Sequence, residues 1–122
     1  MPRLSSKSVP KLWGSETWIV NNSKYCGKIL TLTHGYQCSL HYHPIKEETF
    51  YVLRGKVILE VREDGRTSEI VVLHPGECYH LLPNTPHRFR AMEYDGAEIL
   101  EVSTPHDDGD VVRIEDSRKI EE

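Results

Sequence analysis

One stretch of the sequence decides the fold: Gly35-Tyr-Gln-Cys-Ser-Leu-His41-Tyr-His43-Pro-Ile-Lys-Glu-Glu48-Thr-Phe-Tyr-Val-Leu-Arg-Gly55. In a β-strand, alternate side chains leave the same face, so His41 and His43 point in the same direction. Pro44 ends that strand because its ring fixes φ and removes a hydrogen-bond donor. If the chain folds back after Pro44, Glu48 on the returning strand faces the same side as the two histidines.

Two imidazoles and one carboxylate need a further ligand to make a closed metal site, and His87 is the candidate. It follows the turn-forming segment Pro83-Asn-Thr-Pro and opens another apolar run. Glu47 competes with Glu48 for the carboxylate position. Strand parity and the distance from Glu48 to Gly55 both favour Glu48, and we expect Glu47 to face solvent.

The predicted donor set combines three neutral imidazoles with one carboxylate. Such a set suits Mn, Fe, Co, Ni or Zn, whereas Ca and Mg prefer oxygen ligands. We therefore predict one divalent transition-metal ion, with manganese among the candidates, bound by His41, His43, Glu48 and His87. Four protein ligands leave positions open on a six-coordinate ion, so a substrate can chelate it through two oxygens.

The pattern resembles that of a known family. The first motif of the cupin family is similar to the spacing of five residues in this chain, namely Gly35, His41, His43, Glu48 and Gly55. The second motif is similar to residues 76–87, with Asn84 in place of the usual glycine and Ala91 in place of the usual asparagine. The resemblance implies a small jelly-roll-like β-barrel, a double-stranded β-helix, with the metal inside one end.

Short apolar runs separated by turn residues independently predict an all-β chain. The Asp64-Gly65 pair favours a hairpin between strands at 57–61 and 69–73. We also expect strands at 87–92 and 97–103 to pair with each other. Residues 109–120 are the best candidate for a short C-terminal helix or tail.

Length and charge limit the remaining organisation. A chain of 122 residues predicts one domain, with an N-terminal arm over 1–12 and a single cupin domain over 13–122. The net charge of −4 is spread over both signs, which argues against nucleic-acid and membrane partners. The polar start of the chain predicts no signal peptide. The segment 2–18 carries two tryptophans with few expected partners, so we predict a homodimer formed through it.

The three cysteines, Cys26, Cys38 and Cys78, share no C-x-x-C spacing. An odd number without a motif predicts reduced, buried thiols and a cytoplasmic location rather than a disulfide framework.

Other polar residues are candidates for the same cavity. Glu101 lies in an apolar run, where an isolated carboxylate is costly unless it is used or paired. The alternative places Glu101 on the outer face of the sheet. His80 is a candidate for an inward-facing position, and Phe89 is expected to share the face of His87. Lysines are usually solvated, and this is the ordinary expectation for Lys28 and Lys46.

A second resemblance concerns the substrate. Two groups of sugar isomerases are similar to this chain in four segments. One group is the cupin domain of mannose-6-phosphate isomerases that are fused to sugar nucleotidyltransferases, and the other is the small isomerases of lyxose or mannose. The four segments are Trp13–Ser15, Ser39–His43, His87–Arg88 and Asp110–Asp116. This chain departs from that pattern at His41, where a glutamine is usual, and at Lys46, where an arginine is usual. Residues 116–119 also differ from the usual closing segment. These departures weaken the case for sugar-phosphate recognition and leave a free sugar or another polyol-like ligand open.

These resemblances imply a metal-dependent aldose–ketose isomerase acting on a small carbohydrate, with Glu101 or Lys46 as base or acid. Two alternatives remain open. One is a non-catalytic metal-binding cupin that binds carbohydrate or assists a sugar-nucleotide enzyme. The other is a small non-haem iron dioxygenase, because cupins support many chemistries.

Overall fold

The computed structural model describes residues 2–120, and all its regular structure is β-strand. The strands, in chain order, are β1 (Lys7–Lys11), β2 (Gly14–Asn21), β3 (Cys26–Leu32), β4 (Tyr36–Gln37), β5 (Leu40–Tyr42), β6 (Glu48–Arg54), β7 (Val57–Val61), β8 (Glu69–Leu73), β9 (Cys78–Leu81), β10 (His87–Ala91), β11 (Ala97–Ser103), β12 (Val112–Glu115) and β13 (Arg118–Lys119). Within residues 2–120 there is no helix long and apolar enough to cross a membrane.

The strands form two antiparallel sheets. The six-stranded sheet has the order β1-β2-β3-β11-β6-β9. In the second sheet, β10 is central: β7 pairs along one edge, while β4 and β5 pair with successive parts of the other. The sheet continues through β8 beside β7, β12 beside β5 and β13 beside β4. The all-β class predicted from the turn pattern and the jelly-roll-like barrel implied by the resemblance are therefore confirmed.

Side-chain alternation fills the space between the sheets. On β7, Val57, Leu59 and Val61 are fully buried, while the intervening residues are partly exposed. The same period of two along β11 buries Ala97 and Ile99. Buried apolar side chains form one core cluster. Several buried polar and charged side chains line a single cavity, among them Lys28, Glu48, His87 and Glu101, and we call this region the polar end of the barrel.

The hairpin expected at Asp64-Gly65 is confirmed, because β7 and β8 pair in register from Val57↔Leu73 to Val61↔Glu69. The expected pairing of 87–92 with 97–103 is wrong. β10 pairs with β7, and β11 lies between β3 and β6 in the other sheet. The turn before Gly96 therefore carries the chain from one sheet to the other, a crossing that a local turn signal does not distinguish from a hairpin.

Part of the expected N-terminal arm is β1, which forms the edge of the six-stranded sheet by pairing with β2. Both tryptophans have partners in their own chain. Trp13 is buried with its ring edge-on to Phe89, and the Trp18 ring faces the Lys28 ammonium. The reason given for a dimer through residues 2–18 is thereby removed, and the dimer stays a prediction.

The helix expected within 109–120 is wrong for this described segment. β12 pairs with β5 and β13 pairs with β4, so both extend the second sheet. The edges of the two short strands β4 and β5 offer unpaired backbone groups, and the segment Val-Arg-Ile-Glu is rich in residues that suit a strand. The expectation of buried thiols holds for Cys26 and Cys38, whereas Cys78 is exposed.

Gly55, between β6 and β7, occupies a position that only glycine fits. Its φ is +72°, and a Cβ there would overlap the carbonyl oxygen of Gly96 and lie 2.9 Å from Ala97 Cα. Gly65 has a similar φ of +78° but open space around it.

We predict that Gly55→Ala destabilises the fold more than Gly65→Ala does. In both variants, an alanine at positive φ lowers the free energy of unfolding by about 1–2 kcal/mol. Only Gly55→Ala adds the steric cost of overpacking, about 1–3 kcal/mol more. Urea denaturation of the two variants measures the difference, and equal losses in the free energy of unfolding would contradict the close backbone approach at Gly55.

Candidate metal centre

Three histidines converge inside the polar end of the barrel. His41 on β5 and His87 on β10 are direct partners across the second sheet, and His43 follows β5 on the same face. One ring nitrogen from each lies within 4.8 Å of the others. The period of two that grouped His41 with His43 thus places both beside His87.

Backbone carbonyl groups orient all three rings. Nδ1 of His41, His43 and His87 lies 2.8 Å from the carbonyl oxygens of Ser39, Asp110 and Thr85, respectively. A carbonyl can only accept, so each Nδ1 carries the hydrogen and each Nε2 keeps a lone pair. Nε2 of His87 is buried and has no hydrogen-bond partner among the described residues. A buried lone pair without a donor fits a metal ion.

Glu48, at the start of β6, faces the histidines. Its Oε2 lies 3.3 Å from His43 Nε2 and 3.6 Å from His87 Nε2. Glu47 points the other way and accepts a hydrogen bond from His80 on the outer surface. The structure therefore places Glu48, rather than Glu47, beside the imidazoles, and three nitrogens with one carboxylate fit a divalent transition metal.

Burial sets the protonation of these groups. It lowers the pKa of His41 to about 4 and that of His87 to about 3, helped by the neighbouring imidazoles. The pKa of His43 is also lowered, mainly by burial. Burial, followed by repulsion from Glu101, raises the pKa of Glu48 to about 8. At neutral pH the imidazoles are therefore neutral and able to bind a metal, whereas Glu48 keeps its proton until a cation displaces it.

Glu101 faces the cavity. The alternative on the outer face of the sheet is wrong, because Glu101 shares the inward face of β11 with Ala97 and Ile99. Its Oε2 lies 2.7 Å from Lys46 Nζ, and both side chains are buried.

The Lys46–Glu101 pair shifts the pKa of both groups. Burial by itself would raise the pKa of Glu101, but the charges of Lys46 and then Lys28 outweigh burial, so this pKa is lowered. Burial would likewise lower the pKa of Lys46, but Glu101 outweighs it and the pKa is raised. The pair is ionised at neutral pH.

The loop that carries Lys46 is held by Asp110, a residue that sequence reasoning did not select. The two carboxylate oxygens of Asp110 accept hydrogen bonds from the backbone N–H groups of Ile45, at 2.9 Å, and Lys46, at 2.8 Å. Its carbonyl oxygen is the one that orients His43. Asp110 lies in the segment 110–116 that is similar to the isomerases, which was the available signal.

One cavity of about 150 Å³ is lined by the three histidines, Glu48 and the Lys46–Glu101 pair. Its wall also contains Glu16, Phe89, His106 and Lys28. The expectation that Lys28 and Lys46 are solvated is wrong, since both side chains are buried. For Lys28, period-two alternation with Leu30 and Leu32 on β3 was the signal for the inward direction. His80 is exposed on the outer face of β9, which contradicts the inward position considered for it.

The small β-barrel with a buried cluster of histidines defines a class of protein. The chain belongs to the cupin family, whose cupin domain model matches residues 28–103.

Curated relatives narrow the comparison. The chain is similar to the D-lyxose/D-mannose isomerase of Thermosediminibacter oceani, 36% identical over 113 residues, which cover 73% of this chain and 61% of the relative. It is also similar to the D-lyxose ketol-isomerase of Thermofilum sp., 35% identical over 107 residues, covering 70% of this chain and 59% of that protein. The chain thus spans about three fifths of the length of these relatives.

Solved structures agree on the fold. The oxalate decarboxylase of Bacillus subtilis matches with a TM-score of 0.79 at 19% identity, over 89% of this chain and 30% of that chain. KdgF from Halomonas sp. matches with a TM-score of 0.71 at 18% identity, over 87% of this chain and 92% of that chain.

We predict that His43→Ala removes most bound metal, because the three remaining candidate ligands leave an open and weak site. Metal content after dialysis against a limiting amount of Mn²⁺ or Zn²⁺, determined by elemental analysis, measures the loss. His80→Ala is the matched control, since His80 is exposed and bonded to Glu47. Equal metal content in both variants would contradict the site.

We also predict that metal binding at pH 7 releases about one proton. The pKa of about 8 leaves Glu48 protonated before binding, whereas pKa values of about 4 for His41 and about 3 for His87 leave those rings already neutral. Calorimetric titration with Zn²⁺ in two buffers of different ionisation enthalpy measures the released protons. Glu48→Gln is expected to abolish the release, and a wild-type value near zero would show that Glu48 is ionised before the metal arrives.

Proposed function

We propose that this protein is a metal-dependent aldose–ketose isomerase acting on a small sugar. The observation that carries the proposal is the buried Lys46–Glu101 pair in the same cavity as the three histidines. Aldose–ketose isomerisation moves a proton between two adjacent carbons, which needs a base near the polarised oxygens. The names of the relatives support the choice of D-lyxose, D-mannose and their ketoses as substrates to test.

His41, His43, Glu48 and His87 would hold the ion. When bound, the cation supplies Lewis-acid chemistry that polarises the carbonyl and adjacent hydroxyl oxygens of the sugar. Manganese is one of the ions that this donor set accepts, and the related oxalate decarboxylase of B. subtilis has Mn(II) centres.

Glu101 is the proposed base. In the aldose-to-ketose direction, one Glu101 oxygen takes the proton from C2 and returns it to C1. The Lys46 ammonium keeps Glu101 ionised and donates a proton to the oxygen on C1, the former carbonyl oxygen. The hydroxyl group on C2 then gives its proton to Lys46, which restores the ammonium. The low exposure of both side chains excludes bulk water from the proton in transit.

We predict that Glu101→Gln lowers turnover by about 10²–10⁴-fold, the usual contribution of a general base. Metal content is expected to hold, because Glu101 is not among the proposed ligands. Glu98→Gln on the same strand is the matched control, since Glu98 faces outward and pairs with Arg54. Unchanged turnover in Glu101→Gln would remove this carboxylate from the mechanism.

The test of the function is a substrate screen on protein of measured metal content. Metal-loaded protein is incubated with D-lyxose, D-mannose, D-xylulose, D-fructose and the corresponding phosphates, and products are separated by chromatography. Interconversion supports the isomerase. Sugar binding without conversion would favour the non-catalytic cupin, and oxygen uptake by the Fe(II)-loaded protein would favour the dioxygenase.

We further propose a cytoplasmic homodimer. Cys26, Cys38 and Cys78 form no disulfide, which suits a reducing compartment. The outer face of β6 and β11 exposes Tyr51 and Val102, apolar surface that a second copy could cover. Light scattering at micromolar concentration tests the dimer, and a monomer mass would contradict it.

A further inference from the structure

Lys28 is the buried charge that the proposed mechanism leaves unused. Its side chain is only 2% exposed, and it lines the cavity that contains the histidines. Burying an ammonium ion is costly unless it is paired and hydrogen-bonded, so its contacts decide whether Lys28 is structural.

The contacts of Lys28 are weak. Within residues 2–120, the only hydrogen-bond acceptor for its Nζ is Oε1 of Glu16, at 3.5 Å. That same oxygen accepts a shorter bond, 2.8 Å, from Trp18 Nε1. The Trp18 ring centroid lies 4.1 Å from Nζ and provides a cation–π contact. An ammonium has three donors, so Lys28 keeps donors for a further acceptor, and Oε2 of Glu16 is left to accept.

Lys28 lines the same cavity as the histidines, two strands away from the strand of Glu48. On the six-stranded sheet it pairs directly with Glu101, which pairs in turn with Phe50 on the strand that carries Glu48. Neighbouring strands are about 4.8 Å apart, so the backbone of Lys28 is about 10 Å from that of β6. Lys28, Lys46 and Glu101 line the same cavity, so a sugar that bound at the histidines and extended past the Lys46–Glu101 pair would reach Lys28.

We infer that Lys28 and Glu16 form a substrate-binding pair that holds a hydroxyl group of the sugar away from the metal. A hydroxyl group donates and accepts at once, so it matches an ammonium donor beside a carboxylate acceptor, whereas Glu16 would repel an anionic group such as phosphate. The inference rests on the proposed function and deepens it, because it assigns recognition of a neutral polyol end to two named residues.

Stability separates this role from a structural one. The Lys28 ammonium makes only one long ion pair, 3.5 Å to Glu16 Oε1, and one cation–π contact, with Trp18, among the described residues. Removing the Lys28 charge therefore breaks no short ion pair. Without that charge, Glu16 still accepts the hydrogen bond from the Trp18 N–H. Glu101 still forms its ion pair with Lys46 and accepts the hydrogen bond from the Ser103 hydroxyl group. A residue held for function at the expense of stability is expected to behave in this way.

The experiment compares Lys28→Met with Lys24→Met in metal-loaded protein. Met keeps an unbranched side chain of similar length without the charge, and Lys24 is an exposed lysine in the β2–β3 turn. For Lys28→Met we expect unchanged metal content, an unchanged or higher melting temperature, and D-mannose binding weakened by about 10–100-fold in calorimetry, as for loss of a hydrogen bond to a charged group. For Lys24→Met we expect wild-type values throughout. Glu16→Gln, which still offers an acceptor to Trp18, is expected to weaken D-mannose binding by less than Lys28→Met does.

Each other outcome is decisive. If Lys28→Met binds D-mannose as tightly as the wild type, or unfolds at a lower temperature or not cooperatively, the residue is structural and the inference is overturned while the isomerase proposal stands. Wild-type affinity in Glu16→Gln overturns the pairing of the two residues. If the wild-type protein neither binds nor converts D-mannose or D-lyxose, the proposed function itself fails, and this inference fails with it.

Discussion

Three hydrogen bonds from imidazole rings to backbone carbonyl groups are the interaction on which the site depends. Each uses Nδ1, so each ring presents the lone pair of Nε2 to the interior. The carbonyl groups of Ser39 and Thr85 lie two residues before the histidines they orient, whereas that of Asp110 comes from a distant segment. Rigid backbone groups thus fix two rings locally and the third through the tertiary fold.

The polar end of the barrel is a balance of buried charge rather than a hydrophobic core. Lys46 and Glu101 compensate each other at 2.7 Å, which lowers the pKa of the carboxyl and raises that of the ammonium. Within residues 2–120, Glu48 forms no ion pair with a lysine or arginine, and burial and Glu101 outweigh the influence of Lys46, so its pKa is raised. Glu48, the carboxyl group whose ionisation burial disfavours, is also the one that lies beside the three imidazole lone pairs. The electrostatics of the end of the barrel are therefore complementary to a divalent cation.

The connection between β11 and β12 supports this arrangement from outside the barrel. Thr104 exchanges hydrogen bonds with the backbone of Glu47, and Asp110 bonds Ile45 and Lys46. Nδ1 of His106 lies 3.5 Å from Lys46 Nζ. The Asp108 carboxylate bonds the His106 ring at Nε2, and the Asn21 side chain accepts a hydrogen bond from the His106 backbone N–H. The short loop between His43 and Glu48 is thus positioned by residues about sixty positions further along the chain. Its geometry depends on the whole barrel.

The sequence by itself determined the all-β class, most of the strands between residues 13 and 103, and the direction of His41, His43 and Glu48. These follow from local causes: a period of two, a proline that ends a strand, and glycines where φ must be positive. Alternation with Leu30 and Leu32 also carried the inward direction of Lys28, although lysine composition pointed to solvent. Tertiary structure alone decided that β10 and β11 belong to different sheets, that residues 112–115 extend a sheet, and that Glu101 meets Lys46. Those outcomes depend on which strand edges and which charges remain unpaired after the barrel closes, and a linear pattern contains no information about pairing across that distance.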